Sequence, residues 1–298
     1  MKTSAIALGV GAMLAASPAL ARDHVLLDAG KAPANQTIAS KSLGVKSAKP
    51  FTVTTKTLHG GRQEGVMLVE IDTGAMKITV VPNRGMNVAQ AVSGEVRLGW
   101  KSPVREIVNP AFLDQGARNG IGWLEGFNDL LTRCGYEWVG HAGERALARA
   151  LGGSCQVPLG AYCTADEHGL LTLHGLAANI PASDVILSVD EKPPYTIRLK
   201  GLLREQAFKK VDFTIDTELN TVPGAKSFTI NDRLTNNGDY PKEYQALYHS
   251  NFGAPLLEKD AKFAAPVREV SPFNDYAGKL LSTWQTYQER TKDFDEVV

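Results

Sequence analysis

The sequence predicts an all-β protein built as one large antiparallel β-sandwich with one or two short helices. Apolar residues recur with a period of two in many segments, turn-forming clusters separate those segments, and neither a strand–helix–strand alternation nor an internal repeat is found. Hydrophobic residues make up 43% and charged residues 21% of the 298 positions, the composition of an ordinary folded protein. A doubly wound parallel sheet, a solenoid and a propeller are therefore not expected.

The strand predictions rest on alternation. Val211, Phe213 and Ile215 alternate with polar residues, which places apolar side chains on one face of a strand and polar side chains on the other. Turn-forming clusters at residues 72–74, 220–224 and 236–239 separate such segments. By this criterion we expect strands at residues 65–71, 76–80, 185–189, 195–199, 211–216, 227–234 and 244–252.

Helix signals are few. Trp123, Phe127, Leu130 and Leu131 recur at spacings near three and four and predict a helix over residues 123–133, ended by Gly135. An alanine-rich segment predicts a second helix over residues 142–151. Strands therefore outnumber helices by a wide margin.

The N-terminus has the order of a secretory signal peptide. Lys2 gives a positive start, residues 5–16 are apolar, Ser17 and Pro18 break that stretch, and small residues end at Ala21. We expect a signal peptide over residues 1–21 and a periplasmic or secreted mature protein, with a buried N-terminal helix as the alternative. Residues 22–50 are expected to form an N-terminal arm, and residues 51–298 the sandwich domain.

The net charge and the length of the apolar runs argue against two classes of partner, nucleic acid and the membrane interior. Lys plus Arg total 32 and Asp plus Glu total 32, so no positive excess draws the chain to phosphate backbones and nucleic acid is not expected as a partner. No apolar run reaches the ~20 residues that span a bilayer, so we expect no membrane span after removal of the signal peptide.

Cysteine and histidine spacing gives no metal signal. Cys134, Cys155 and Cys163 are too few for a disulfide scaffold, although Cys155 and Cys163 are close enough in sequence to pair in an oxidising compartment. Neither a Cys-x-x-Cys nor a His-x-x-x-His spacing occurs, so we expect no zinc site and no cofactor.

Four stretches, at residues 82–87, 122–135, 171–182 and 244–253, combine polar, aromatic and glycine residues beyond what a sandwich core needs. Arg84 can offer a planar fork of donors to sugar hydroxyls, with an ordinary surface arginine as the alternative. The alternative for His174 is a structural histidine. The alternative for the aromatic residues of 122–135 is packing in the core from an amphipathic helix. If residues 244–252 form a strand, His249 shares a face with Leu247 and Asn251. That arrangement suits a polar cleft.

These stretches together resemble the galactose mutarotase-like superfamily, and more narrowly a bacterial aldose 1-epimerase-like branch. The resemblance runs in register from about residue 65 to the C-terminus. It implies a supersandwich with a sugar site in an open cleft on one sheet. The motifs that carry it are Asn83-Arg84-Gly85-Met86, Trp123-Leu124-x-Gly126-Phe127 with Thr132-x-Cys134-Gly135, Leu173-His174-Gly175, and Tyr248-His249-x-Asn251-Phe252-Gly253.

By this resemblance, His174 helps to hold the sugar and His249 is the general acid. The superfamily's general base is a glutamate on a strand expected after residue 298, so we expect either a truncated chain or a branch with changed catalysis. Asn83 and Asn87 stand where aspartate is expected in this branch, and Asn128 where glycine is expected. These departures predict a changed ligand charge preference or activity.

The expected function is interconversion of the anomers of a free or modified sugar by general acid–base catalysis, with a small-molecule sugar as the partner. The predicted catalytic residues are His249 and His174, and the predicted binding residues are Arg84, Asn251, Trp123 and Tyr248. The candidates for a base within the chain are Glu125, Asp129, Glu205 and Glu258. The alternatives are a carbohydrate-binding protein without turnover, a lyase or isomerase acting on oxidised sugars, and a structural periplasmic domain.

Overall fold

The structure is a computed structural model that describes residues 21–28, 30, 33–144, 170–208, 210–272 and 274–289. Residues 1–20 of the expected signal peptide, residues 145–151 of the second expected helix, and Cys155 and Cys163 lie outside the described residues. The strands within the described ranges are β1 (Ala21–Leu27), β2 (Gln36–Ala39), β3 (Thr52–Thr57), β4 (Met67–Asp72), β5 (Lys77–Val81), β6 (Asn87–Ser93), β7 (Val96–Leu98), β8 (Leu131–Tyr136), β9 (Gly143–Glu144), β10 (Leu170–Leu171), β11 (Asp184–Asp190), β12 (Ile197–Ala207), β13 (Val211–Thr221), β14 (Thr229–Asn236) and β15 (Gln245–Ser250).

Two antiparallel sheets contain most of these strands. A five-stranded sheet has the order β1-β11-β12-β13-β14, and an eight-stranded sheet has the order β15-β8-β6-β5-β4-β3-β2 with β7 paired to β6. β9 and β10 form a separate pair. The predicted all-β sandwich is therefore confirmed, and each of the strands expected from alternation overlaps an observed strand.

The core lies between the two sheets and follows directly from the alternation. In β13, Val211, Phe213 and Ile215 are buried while the residues between them are partly exposed. In β4 and β5, Val69, Ile71 and Ile78 are fully buried in the same cluster. Each such side chain contributes roughly 1.5–3 kcal/mol by leaving water, so the alternating pattern also fixes the register of each strand.

The segment expected to form an N-terminal arm contributes strands to both sheets. β1 pairs with β11 at one edge of the five-stranded sheet, and β2 pairs with β3 at one edge of the eight-stranded sheet. Leu26 and Leu43 from this segment are buried in the main core.

Helical structure is scarce in the part of the chain that the structure describes. The α-helical segments are Ala117–Gly120 and Asp275–Leu280, and single 3₁₀ turns occur at Gly61–Gln63, Pro110–Phe112, Gly122–Gly126, Ala177–Asn179 and Leu281–Thr283. None of the helices in these ranges has the length and apolar character needed to cross a membrane.

The predicted helix over residues 123–133 is wrong. The structure has a 3₁₀ turn at Gly122–Gly126, and strand β8 begins at Leu131. Trp123 and Phe127 stack on one another with ring centroids 4.4 Å apart, so the four-residue spacing reflects aromatic packing at a turn. β8 then places Arg133 on one face, and Thr132 and Cys134 on the other, as a strand requires.

Arg133 of β8 connects the two sheets through the interior. Its guanidinium forms an ion pair with Asp232 of β14, with Nε 2.8 Å from Oδ2, and donates to Thr217 Oγ1 of β13 at 2.7 Å. It also donates to the carbonyl oxygens of Gly85 and Met86 at 3.2 and 2.5 Å. Only 2% of Arg133 is exposed, so these bonds replace the water that its charge loses on burial.

We expect Arg133→Met to lower the free energy of unfolding by about 3 kcal/mol, because removing one partner leaves the buried Asp232 carboxylate without its counter-charge. Urea denaturation measures the loss. The matched control is Arg204→Gln, which changes an exposed arginine of β12 and should leave the midpoint nearly unchanged. Equal midpoints for wild type and Arg133→Met would contradict the role given to this ion pair.

Candidate active site on the eight-stranded sheet

Two imidazole rings and two aromatic rings form one cluster. The ring centroids of His174 and His249 lie 5.4 Å apart, and Trp123 lies 5.4 Å from the first and 6.1 Å from the second. Phe127 lies 5.2 Å from His249. Both histidines are only partly buried, so a ligand can approach them from solvent. We call these four residues the histidine cluster.

Strand β15 places His249 in this cluster. β15 pairs with β8 so that His249 lies opposite Thr132, and Leu247 lies opposite Cys134 and packs near Trp123. Tyr248 points the other way and bonds to Asp232. The alternation predicted for this segment is therefore observed, and His249 lies on the face of the eight-stranded sheet that points away from the five-stranded sheet.

A tight turn places His174. Its φ is +58°, a left-handed conformation that histidine adopts more readily than most non-glycine residues. The backbone is fixed by two hydrogen bonds, from His174 N to Gly140 O at 2.9 Å and from Gly135 N to His174 O at 3.0 Å. The next residue must be glycine, because a Cβ on Gly175 would lie 2.2 Å from Trp138 O. The Leu-His-Gly motif therefore has a steric basis.

His174 is neutral at physiological pH. Burial lowers the pKa of His174 to about 4, and nearby positive charge on His249 and His141 lowers it further. Its Nδ1 atom is buried and has no hydrogen-bond partner among the described residues. A neutral imidazole offers one donor and one acceptor nitrogen, so His174 can accept a proton from a hydroxyl group.

Buried polar residues support the segment that carries Phe127. The Asp129 carboxylate forms an ion pair with Arg84 Nη2 at 3.0 Å and accepts from Asn87 Nδ2 at 3.1 Å. Its backbone carbonyl accepts from Trp100 Nε1 at 3.1 Å and from Asn251 Nδ2 at 3.0 Å. Burial raises the pKa of Asp129, against the lowering effect of Arg84, Asn87 and Thr132.

Arg84 is directed into the protein. Its guanidinium donates to Gly126 O at 2.6 Å and Asn128 Oδ1 at 2.8 Å, besides the ion pair with Asp129, and only 3% of the residue is exposed. These contacts give Arg84 a role in holding the 126–129 segment. They leave the predicted contact with sugar hydroxyls without structural support, because a buried guanidinium occupied by protein acceptors has no free fork.

Of the other three predicted binding residues, two lie at the histidine cluster and one lies on the opposite face of the sheet. Trp123 belongs to the histidine cluster, and Asn251 lies beside it, donating to His249 O at 3.3 Å as well as to Asp129 O. Tyr248 lies on the opposite face, where its hydroxyl donates to Asp232 Oδ2 at 2.7 Å. Burial, together with the hydrogen bond to Asp232, raises the pKa of Tyr248 to about 12.

The asparagines that depart from the resemblance have structural roles. Asn83 Oδ1 accepts from Met67 N at 2.7 Å. Asn87 accepts from Arg133 N at 2.9 Å while donating to Asp129, a pair of contacts that needs an amide because aspartate would put two carboxylates together. Asn128 donates to Val104 O and Glu106 O at 3.1 and 2.8 Å. Sequence reasoning had no signal for these partners.

The carboxylate candidates for a base bind other partners. Glu125 forms ion pairs with Arg62 and Arg118, and Asp129 is occupied as described. Glu205 is buried and accepts from the backbone N of Tyr136 at 2.7 Å; burial raises its pKa against that bond. Glu258 is exposed. Among the residues that the structure describes, no carboxylate hydrogen-bonds to His174 or His249.

The lowered pKa of His174 predicts a pH-dependent stability. Between about pH 6.5 and 4 the unfolded chain binds a proton at this residue that the folded chain does not bind. The free energy of unfolding of wild type should therefore fall as the pH is lowered through this window. His174→Asn, which keeps a residue suited to left-handed backbone, should fall less steeply.

Urea denaturation at pH 7.5, 6 and 5 measures this difference. His24→Gln, at a histidine of edge strand β1, is the control and should keep the wild-type slope. Parallel pH profiles for wild type and His174→Asn would show that His174 titrates normally in the folded protein.

A solved structure shares the fold. A candidate aldose 1-epimerase from Klebsiella pneumoniae subsp. pneumoniae MGH 78578 superimposes with a TM-score of 0.81 at 47% sequence identity, covering 92% of this chain and 67% of that chain. At this similarity the chain has a galactose mutarotase-like fold, as the motifs predicted.

Matches to curated proteins are short. Porphobilinogen deaminases from two Neisseria meningitidis strains, of serogroups A and B, are each 65% identical over 51 residues, 17% of this chain and 16% of theirs. The deaminase of Gloeobacter violaceus is 38% identical over 102 residues, 31% of each chain. This chain therefore spans about a sixth of the first of these relatives and a third of the last, too little to carry over the activity of a whole deaminase.

A family model covers most of the chain. The model for a domain of unknown function, DUF4432, matches residues 63–298, which include the histidine cluster and the strands from β4 onward. This chain belongs to the DUF4432 family.

Proposed function

We propose that this protein binds an aldose at the histidine cluster and interconverts its anomers by acid–base catalysis. The observation that carries the proposal is the pair of imidazoles 5.4 Å apart, partly exposed and framed by Trp123 and Phe127 on one face of a sheet. The similarity to a candidate aldose 1-epimerase supports the same class of reaction.

The reaction needs one proton acceptor and one proton donor. A base removes the proton from the O1 hydroxyl while an acid protonates the ring oxygen, and the bond between C1 and the ring oxygen breaks. The open aldehyde rotates about the C1–C2 bond, and the ring closes with the proton transfers reversed. In this proposal His249 donates to the ring oxygen and His174 accepts from O1.

The electrostatics of the pair suit this division. A positive charge on His249 lowers the pKa of His174, which favours the neutral, proton-accepting form of His174. A pKa of about 4 gives neutral His174 the basicity of an ordinary carboxylate, the group that serves as the base in related epimerases. His174 therefore fills the place of a base that no described carboxylate takes.

The other two cluster residues, Trp123 and Phe127, shape the sugar site, and Asn251 beside them positions His249. Phe127 is half-buried and offers an apolar surface against which the carbon face of a sugar ring can pack, while Trp123, of which only 4% is exposed, packs behind it. Asn251 holds the end of β15 through its bonds to His249 O and Asp129 O. These contacts fix His249 relative to this surface without taking part in proton transfer.

One observation favours a second candidate, a carbohydrate-binding protein without turnover. Within the described ranges no carboxylate hydrogen-bonds to either imidazole, and a base as weak as His174 depends on close positioning to act. In this alternative the same cluster binds sugar but does not open the ring. An experiment that measures affinity and turnover separately distinguishes the two.

We expect His249→Gln to slow anomer exchange by at least about 100-fold, because a positioned acid contributes roughly 10² to 10⁴ in rate. Magnetisation-exchange NMR on several aldoses, D-galactose among them, measures the exchange rate, and saturation-transfer NMR measures binding. His24→Gln is the control and should keep the wild-type rate.

Two results would count against catalysis. If no aldose exchanges faster with wild type than with His249→Gln, the epimerase proposal fails. If sugar affinity is then equal in both proteins, the binding alternative is supported in its place.

A further inference from the structure

An open groove lies beside the histidine cluster on the same sheet face. It encloses about 970 Å³, with a floor of side chains from β3, β4, β5 and β6. These side chains alternate with core residues such as Val69 and Ile78, so they point away from the five-stranded sheet. β7 and the segment 100–107 that follows it form one wall.

The groove is positively charged. Lys56, Arg97, Lys101 and Arg105 line it, and none of them forms an ion pair in the described part of the chain; Arg97 donates only to the neutral Gln90, at 2.9 Å. The one acidic lining residue, Glu70, forms an ion pair with Lys77, with Oε1 3.4 Å from Nζ. Because the whole chain is electrically neutral, this is a local excess of charge.

Trp100 joins the groove to the histidine cluster. Trp100 lines the groove, and its ring centroid lies 5.1 Å from that of Phe127, which in turn lies 5.2 Å from that of His249. A ligand that packs against the cluster can therefore extend past Trp100 into the groove.

The wall of the groove is fixed to the segment that carries Phe127. Trp100 Nε1 donates to Asp129 O at 3.1 Å, and Ser102 Oγ donates to Phe127 O at 2.7 Å. Asn128 Nδ2 donates to Val104 O and Glu106 O, on either side of Arg105. Lys101 and Arg105 are therefore carried on a backbone that is held in place relative to His249.

We infer that the sugar bound at the histidine cluster carries an anionic group, a carboxylate or a phosphate, and that this groove binds it. This inference rests on the proposed function, and it names the substrate class. Guanidinium and ammonium groups that form no ion pair with a protein carboxylate are the groups that recognise carboxylate and phosphate oxygens. The charge also raises the local concentration of anions at the mouth of the site.

The test compares three probes: D-galactose, D-galacturonate and D-galactose 6-phosphate. Isothermal titration gives their dissociation constants for wild type, for Lys101→Gln with Arg105→Gln, and for the control Arg204→Gln. We expect an anionic probe to bind more tightly than galactose to wild type, and the double variant to weaken that binding about fivefold or more. Galactose binding should be unchanged in the double variant, and Arg204→Gln should match wild type throughout.

The preferred anion identifies the group: tighter binding of galacturonate indicates a carboxylate, and tighter binding of the phosphate ester indicates a phosphate. Anionic probes that bind no more tightly than galactose, or that bind the double variant as well as wild type, would overturn the inference. In that case anomer exchange that is slower in His249→Gln than in wild type would still support the proposed function, so the two failures are distinguishable.

Discussion

The buried ion pair between Arg133 and Asp232 holds the geometry of the site. Arg133 lies on β8, next to the strand that carries His249, and each of its guanidinium nitrogens has an acceptor in the interior. Asp232 also accepts from Tyr248, the neighbour of His249 on β15. The Asp232 carboxylate of the five-stranded sheet therefore binds both β8 and β15, the two strands at the edge of the eight-stranded sheet that carries His249. Because both charges are buried, neither can leave this arrangement without losing its counter-charge.

A second buried pair holds the other side of the cluster. Arg84 and Asp129 fix the 126–129 segment that carries Phe127, and the Asp129 carbonyl fixes Trp100 and Asn251. Asn87 links the two pairs, since it donates to Asp129 and accepts from the backbone of Arg133. The partly buried imidazoles are thus supported by a buried, hydrogen-bonded framework, which fixes their positions as proton transfer requires.

Much of the fold could be predicted because burial on one face imposes a period of two, as in β13. The helix expected over residues 123–133 failed because a 3₁₀ turn followed by a strand gives the same spacing of apolar residues. The placement of His174 and His249 at one site was predicted from the motifs of the resemblance, which occur in the expected order along the chain. Arg84 and Tyr248 look available in sequence, but their buried acceptors come from distant segments. The basic groove had no sequence signal, since its four cations are dispersed in a chain of zero net charge.

The central claim is that His174 and His249 bind one sugar together. The most direct measurement is a titration of the protein with galactose or galacturonate. The protein carries isotope-labelled histidine, and NMR monitors the signals of its imidazoles. The His174 and His249 signals should shift together and saturate with one dissociation constant, while those of His24 and His59 remain in place. Signals of the two cluster histidines that stay unchanged at saturating galactose and galacturonate, or a shift of only one of them, would contradict it.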